Sequence, residues 1–198
     1  MFLGAQSALL GTLIIINYSL IVSLIVSLIV FVNCFINCFN LKSKYMKDLK
    51  WYKEVVYHVI GGAMEVHKFM GKGLLEPIYQ EALSWELEQR GVYNRREVML
   101  SVFYKEHELD KRYKIDMLVE EDIIVETKAV NKLLPEHRAQ LCNYLRIANK
   151  PIGLLINFGE KSLMGERWAY DKENNECFLV DKHMNRIYDT NYTDLFYE

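Results

Sequence analysis

Ile123-Ile124-Val125-Glu126-Thr127-Lys128 decides how this chain folds. Three β-favouring aliphatics run into a carboxylate and an ammonium two residues apart. Side chains alternate along a strand, so Glu126 and Lys128 share a face with Ile124, while Ile123, Val125 and Thr127 face the other way. An apolar run of this kind reads as a buried strand, and charges at its end are costly to bury unless they are paired or used. Upstream, Tyr113-Lys114-Ile115-Asp116-Met117-Leu118-Val119 sets another acid, Asp116, inside a second apolar strand. Two acids and a lysine on neighbouring strands suit a divalent cation and an activated water. Taken alone, a Glu-x-Lys at a strand end is most often an ordinary ion pair. The acid on the adjacent strand is what turns the balance.

Working outward, Asp48 is placed to cap a helix whose apolar positions Val55, Val56, Val59, Ile60, Met64 and Phe69 recur at helical spacing, until Gly71-Lys72-Gly73 breaks it. A second helix is expected from about Leu74 to Arg90, stopped by Gly91. Strands are expected over Glu97–Tyr104, Arg112–Val119 and Ile123–Val130, with hairpin-like turns at Lys105 to Lys111 and at Glu120-Glu121-Asp122. Pro135 opens a helix to about Asn149, and Ile152–Phe158 is a further strand ended by Gly159. A last strand pair is expected around Trp168–Tyr170 and Glu176–Val180, with a loose polar tail over 181–198. The order helix, three strands, helix, strand predicts an α/β fold: an αβββαβ core with a mixed sheet between helices. The expected domain spans 46–180.

Charge is unevenly spread along the 198 residues. None occurs before Lys42; the stretch 42–170 holds 21 Lys/Arg against 19 Asp/Glu, and the last 28 residues carry seven acids and three bases. That excludes a protein that grips nucleic acid by global charge. The four cysteines, Cys34, Cys38, Cys142 and Cys177, lack zinc-finger spacing and read as reduced thiols. Residues 9–39 are apolar enough to span a bilayer as a helix, and Lys42, Lys44, Lys47 and Lys50 after them favour a cytoplasmic domain. The competing account of residues 1–45 is spurious translation upstream of a true start at Met46, suggested by the short-period LIVSLIVSLIV run. The chain is then cytoplasmic without an anchor. The αβββαβ core is complete from Asp48 on either account.

Gly73-Leu74-Leu75-Glu76-Pro77-Ile78-Tyr79 resembles the pattern that names the GxxExxY protein family. Glu65-Val66-His67-Lys68, Tyr79-Gln80-Glu81, Asp116, Glu126-x-Lys128, Gln140-x-x-Asn143-Tyr144-Leu145 and Gly153-Leu154-Leu155-Ile156-Asn157-Phe158 are similar to it in the same order. The resemblance covers about residues 48–168. It places the chain in the PD-(D/E)xK nuclease superfamily, near RecB-like and Cas4-like nucleases, with a restriction-endonuclease-like core. Two departures stand out: Thr127 where an aliphatic is common, and Cys142 inside the Gln–Tyr helix.

The function implied is metal-dependent hydrolysis of phosphodiester bonds, with nucleic acid, DNA first, as substrate and Mg2+ or Mn2+ as cofactor. Asp116 and Glu126 are the expected metal ligands, with the backbone carbonyl of Thr127 as a third. Lys128 is expected to orient or deprotonate the attacking water and to steady the phosphate in the transition state. By resemblance Glu76 completes or extends the metal site; as an acid in a first helical turn it also suits the helix dipole. Gln140 and Tyr144 share a helix face, and by resemblance Gln140 sits near the lysine and Tyr144 near nucleic acid. Tyr79 shares the face of Glu76 and suits either a stacking wall or the core. The alternative function is an inactive nucleic-acid- or protein-binding module of the same fold, membrane-anchored if residues 9–39 form a helix.

Overall fold

The computed structural model describes residues 47–188. The expected apolar helix of residues 9–39 and the tail beyond 188 lie outside the described residues. Helix α1 spans Leu49–Met70, α2 Glu76–Gln89 and α3 Pro135–Ala148; the strands are β1 Asn94–Tyr104, β2 His107–Val119, β3 Ile123–Lys128, β4 Ile152–Asn157, β5 Met164–Asp171 and β6 Glu176–Val180. They form one six-stranded sheet in chain order. Neighbours are antiparallel except β3 and β4, which run parallel, so the chain must cross over between them, and α3 is that crossover. The mixed sheet between helices is the α/β architecture expected.

The helix ends follow their local chemistry. Asp48 caps α1 by accepting the Trp51 N–H at 2.8 Å. Gly71 ends it at φ +67°, a left-handed conformation that favours glycine. The Tyr79 hydroxyl then ties the α1–α2 turn, donating to the Gly71 carbonyl at 2.7 Å and accepting from the Leu74 N–H at 3.2 Å.

Every residue of β3 is buried, and the alternation of its side chains divides the core. Ile123 and Val125 pack with Val59, Ala63, Leu83 and Leu87 of α1 and α2. Ile124 packs with Leu141, Tyr144 and Leu145 of α3. Each face removes several large aliphatic side chains from water, worth about 1.5–3 kcal/mol apiece.

Several boundaries differ from expectation: β3 ends at Lys128 and not Val130, and α2 begins at Glu76 and not Leu74. Strand β2 begins earlier, at His107, because the hairpin continues as a solvent-exposed arm, whose tight turn needs Lys105 at φ +57°; β1 begins earlier, at Asn94, because Asn94, Arg95 and Arg96 pair with Val119, Leu118 and Met117. Strand β5 begins at Met164, where six residue pairs with β4 override a polar sequence. The expected loose tail folds back over its first residues: the Ile187 N–H donates to the Leu179 carbonyl at 2.9 Å, and Asp181 accepts from the N–H groups of His183 and Asn185 at 2.8 Å each.

Past Lys128 the parallel pair is continued by a side chain. Asn157 is fully buried; its Oδ1 accepts the Val130 N–H at 3.0 Å and its Nδ2 donates to the Val130 carbonyl at 2.8 Å. Gly159 lies against the same segment, where a Cβ would stand 2.4 Å from Val130 backbone atoms. Backbone cannot yield as a flexible side chain can, so Gly159→Ala is expected to cost about 3 kcal/mol. A denaturant melt against the wild type checks this; an unchanged midpoint would show that the segment after Lys128 is free to move.

Candidate active site

The site forms where the sheet parts. The β2–β3 ladder runs through Val119↔Ile123, Leu118↔Ile124 and Met117↔Val125, and stops. The next step would pair Asp116 with Glu126. Instead Asp116 Oδ2 accepts the Thr127 N–H at 2.8 Å and the Thr127 hydroxyl at 2.9 Å. On the other side, the β1–β2 pairs skip the position of Glu97 and Asp116, and Glu97 holds φ +53°. A carboxylate thus replaces a ladder carbonyl, and the strands separate around it.

Glu126 is 1 % exposed. Its Oε1 accepts from Lys128 Nζ at 2.5 Å, whereas Oε2 is buried with no hydrogen-bond partner. Burial, then the nearby Asp116 charge, pushes its carboxyl up to about 7, against the pull of Lys128. Lys128 is pulled down by burial, but Glu126, Glu76 and Asp116 outweigh that and leave its pKa above the ordinary lysine value. The three surrounding acids thus favour its charged form.

Glu76, the first residue of α2, reaches the same place. Burial raises its pKa, the Lys128 charge lowers it, Asp116 raises it, and the Ala129 backbone lowers it. Gln80, one turn along α2, is a site residue missed from sequence. Its Nε2 donates to Thr127 Oγ1 at 3.0 Å and lies 3.4 Å from Glu76 Oε1. The available signal was a glutamine four residues after Glu76 on a helix that must bury that face.

The other expected residues divide. Gln140 donates to the Tyr144 hydroxyl at 2.7 Å, so the two engage each other rather than Lys128. Tyr144 is 5 % exposed, and its ring edge meets Tyr113, which is 46 % exposed. Tyr113, on the hairpin arm, is the aromatic that solvent reaches. Tyr79 is fully buried, stacked on Phe158 with centroids 4.6 Å apart. It is a core residue and no stacking wall for nucleic acid.

Among the described residues no three His, Cys, Asp or Glu side chains gather into a ready metal cage. Asp116 is turned onto Thr127 and Glu126 onto Lys128. The donor chemistry still fits a hard cation. A buried carboxylate oxygen without a partner, with two more carboxylates close enough to raise its pKa, is the arrangement a divalent ion relieves.

A sequence-family model described as the PD-(D/E)XK nuclease superfamily matches residues 53–168. That stretch holds Glu76, Gln80, Asp116, Glu126, Thr127, Lys128, Gln140 and Tyr144. Neither a curated protein nor a solved structure gives a match. The buried Glu126-Thr127-Lys128 strand supplies the acid–x–lysine element and Asp116 the acid on the strand beside it, in the alternation of helices and mixed sheet described above: the chain belongs to the PD-(D/E)XK nuclease superfamily.

Proposed function

We propose that the chain is a metal-dependent nuclease that hydrolyses phosphodiester bonds in DNA, of the GxxExxY type and akin to RecB-like and Cas4-like nucleases. The observation that carries the metal is Glu126 Oε2, buried and without a partner beside Asp116 and Lys128. Asp116, Glu126 and the Thr127 carbonyl would hold Mg2+ or Mn2+, with Glu76 extending the set. When bound, such an ion supplies positive charge to the phosphate and acidifies a water. The chain's own part follows from the geometry. Thr127 fixes Asp116 through two hydrogen bonds, and Gln80 fixes Thr127. Lys128, kept protonated, orients the attacking water and offsets charge that develops on the phosphoryl oxygens.

The test is the purified full chain with end-labelled single- and double-stranded DNA and RNA, in Mg2+, in Mn2+ and in excess chelator. Cleavage of DNA that needs a divalent ion is expected. Cleavage unaffected by chelator would overturn the metal; cleavage of RNA alone would overturn the substrate.

A further inference from the structure

A second buried carboxylate faces α3 from the same row of the sheet as Glu126. Glu126 pairs with Leu155 across β3–β4, and Leu155 with Glu166 across β4–β5. Leu155 and Trp168 both pack in the cluster beneath α3. By strand alternation Glu126 and Glu166 share that face, and two strand spacings, about 10 Å, separate their backbones. Glu166 is 2 % exposed. It accepts Arg138 Nε at 2.8 and 2.9 Å, Arg138 Nη2 at 2.5 Å and the Trp168 indole N–H at 3.0 Å.

Arg138 stands in the first turns of α3, two residues before Gln140. Its side chain is 35 % exposed, and the hydrogen bonds to Glu166 use Nε and Nη2 and not Nη1. One edge of the guanidinium is locked and the other is open. If the pair only fastened α3 to β5, apolar residues of similar volume would serve as well, since burying a carboxylate costs more than such a pair returns. An arginine held by a buried acid, with a free edge, is instead preorganised for an oxyanion.

We propose that Arg138 is a substrate-binding residue whose Nη1 edge takes a backbone phosphate flanking the one attacked at Glu126 and Lys128, with Glu166 as the residue that positions it. One DNA strand advances about 3.4 Å per phosphate along the helix axis. The roughly 10 Å between the two rows therefore places the contact within about three phosphates of the cut. This rests on the nuclease proposal.

The experiment neutralises phosphates one at a time in the wild-type protein. Oligonucleotides carry a single methylphosphonate at each of the three positions on either side of the cleavage site. One position is expected to reduce kcat/KM by roughly 10- to 100-fold, mainly through KM, as loss of a charge-assisted contact should. Replacing Arg138 alone leaves the Glu166 carboxylate buried with no cation and only the Trp168 indole N–H, and risks the fold, so the second arm is Arg138→Gln with Glu166→Gln, checked by circular dichroism. That variant should lose the same factor on unmodified DNA and be indifferent to the sensitive methylphosphonate. Cleavage by wild type with no sensitive flanking position, or a double variant as sensitive as wild type, overturns the role of Arg138 and leaves the nuclease proposal standing. No divalent-dependent cleavage of any nucleic acid overturns both.

Discussion

Asp116→Ala and Glu126→Ala are each expected to reduce divalent-dependent cleavage by about 10³-fold or more, while both proteins remain folded. The reason is that the two carboxylates serve the reaction more than the fold. Asp116 accepts from both donors of Thr127. Its removal leaves those groups to water or to Gln80, at a cost of about 1–3 kcal/mol. Glu126 keeps one buried oxygen without a partner, so its truncation also removes a strained group. Lys128 then still has the Glu76 and Asp116 charges near it. Lys128→Ala separates binding from turnover. It should keep cation affinity and lose cleavage, because an ammonium is no ligand but stabilises the transition state. Calorimetry with Mn2+ alongside gel assays distinguishes the two classes. Undiminished magnesium-dependent cleavage in either carboxylate variant sinks the assignment.

The part of this site legible in sequence is the part set by local alternation. The IIVETK run predicts a buried strand with Glu126 and Lys128 on one face, and β3 is buried throughout with Ile124 on the opposite side of the sheet from Ile123 and Val125. Asp48 and Gly71 mark the ends of α1 because caps are local chemistry. What stayed hidden depends on contacts between residues far apart in the chain. The parting of β2 from β3 requires Asp116 to find Thr127, and no single-strand pattern encodes that. Tyr79 follows the helical spacing of Glu76, yet whether such a tyrosine is buried is decided by Phe158. The charge state of Lys128 depends on three acids converging from α2, β2 and β3. Arg138 and Glu166 are not legible in the sequence because an arginine in a helix and an acid in a polar strand have the pattern of solvated surface, and it is the pairing of β5 with β4 that buries Glu166.

Without divalent cations, the wild type is expected to lose about 3 kcal/mol of stability relative to Glu126→Gln as pH rises from 4.5 to 8. The sign follows from linkage. Glu126 holds its proton up to about 7 when folded, against an ordinary value of 4.5. The folded state therefore binds more protons than the unfolded state between those values, and stability falls as pH rises through them. The contribution is fully present below pH 4.5 and gone above about 7. At 1.36 kcal/mol for each tenfold change, the difference comes to roughly 3 kcal/mol, or about 10 °C in Tm for a domain of this size. The groups facing Glu126 are Asp116, Lys128 and Glu76. Lys128 titrates above this range, and the upward shift of Glu76 is common to both proteins, so the comparison between variants isolates Glu126. A cation that binds the ionised carboxylate should reverse the loss. Millimolar Mg2+ or Mn2+ at pH 8 is expected to raise the Tm of the wild type and leave Glu126→Gln little changed, because binding to the folded state alone stabilises by mass action. Thermal melts of both proteins across pH, with and without chelator, measure this. Parallel curves would mean that Glu126 titrates as an ordinary carboxylate, and its buried oxygen would then hold no free energy for a metal to release.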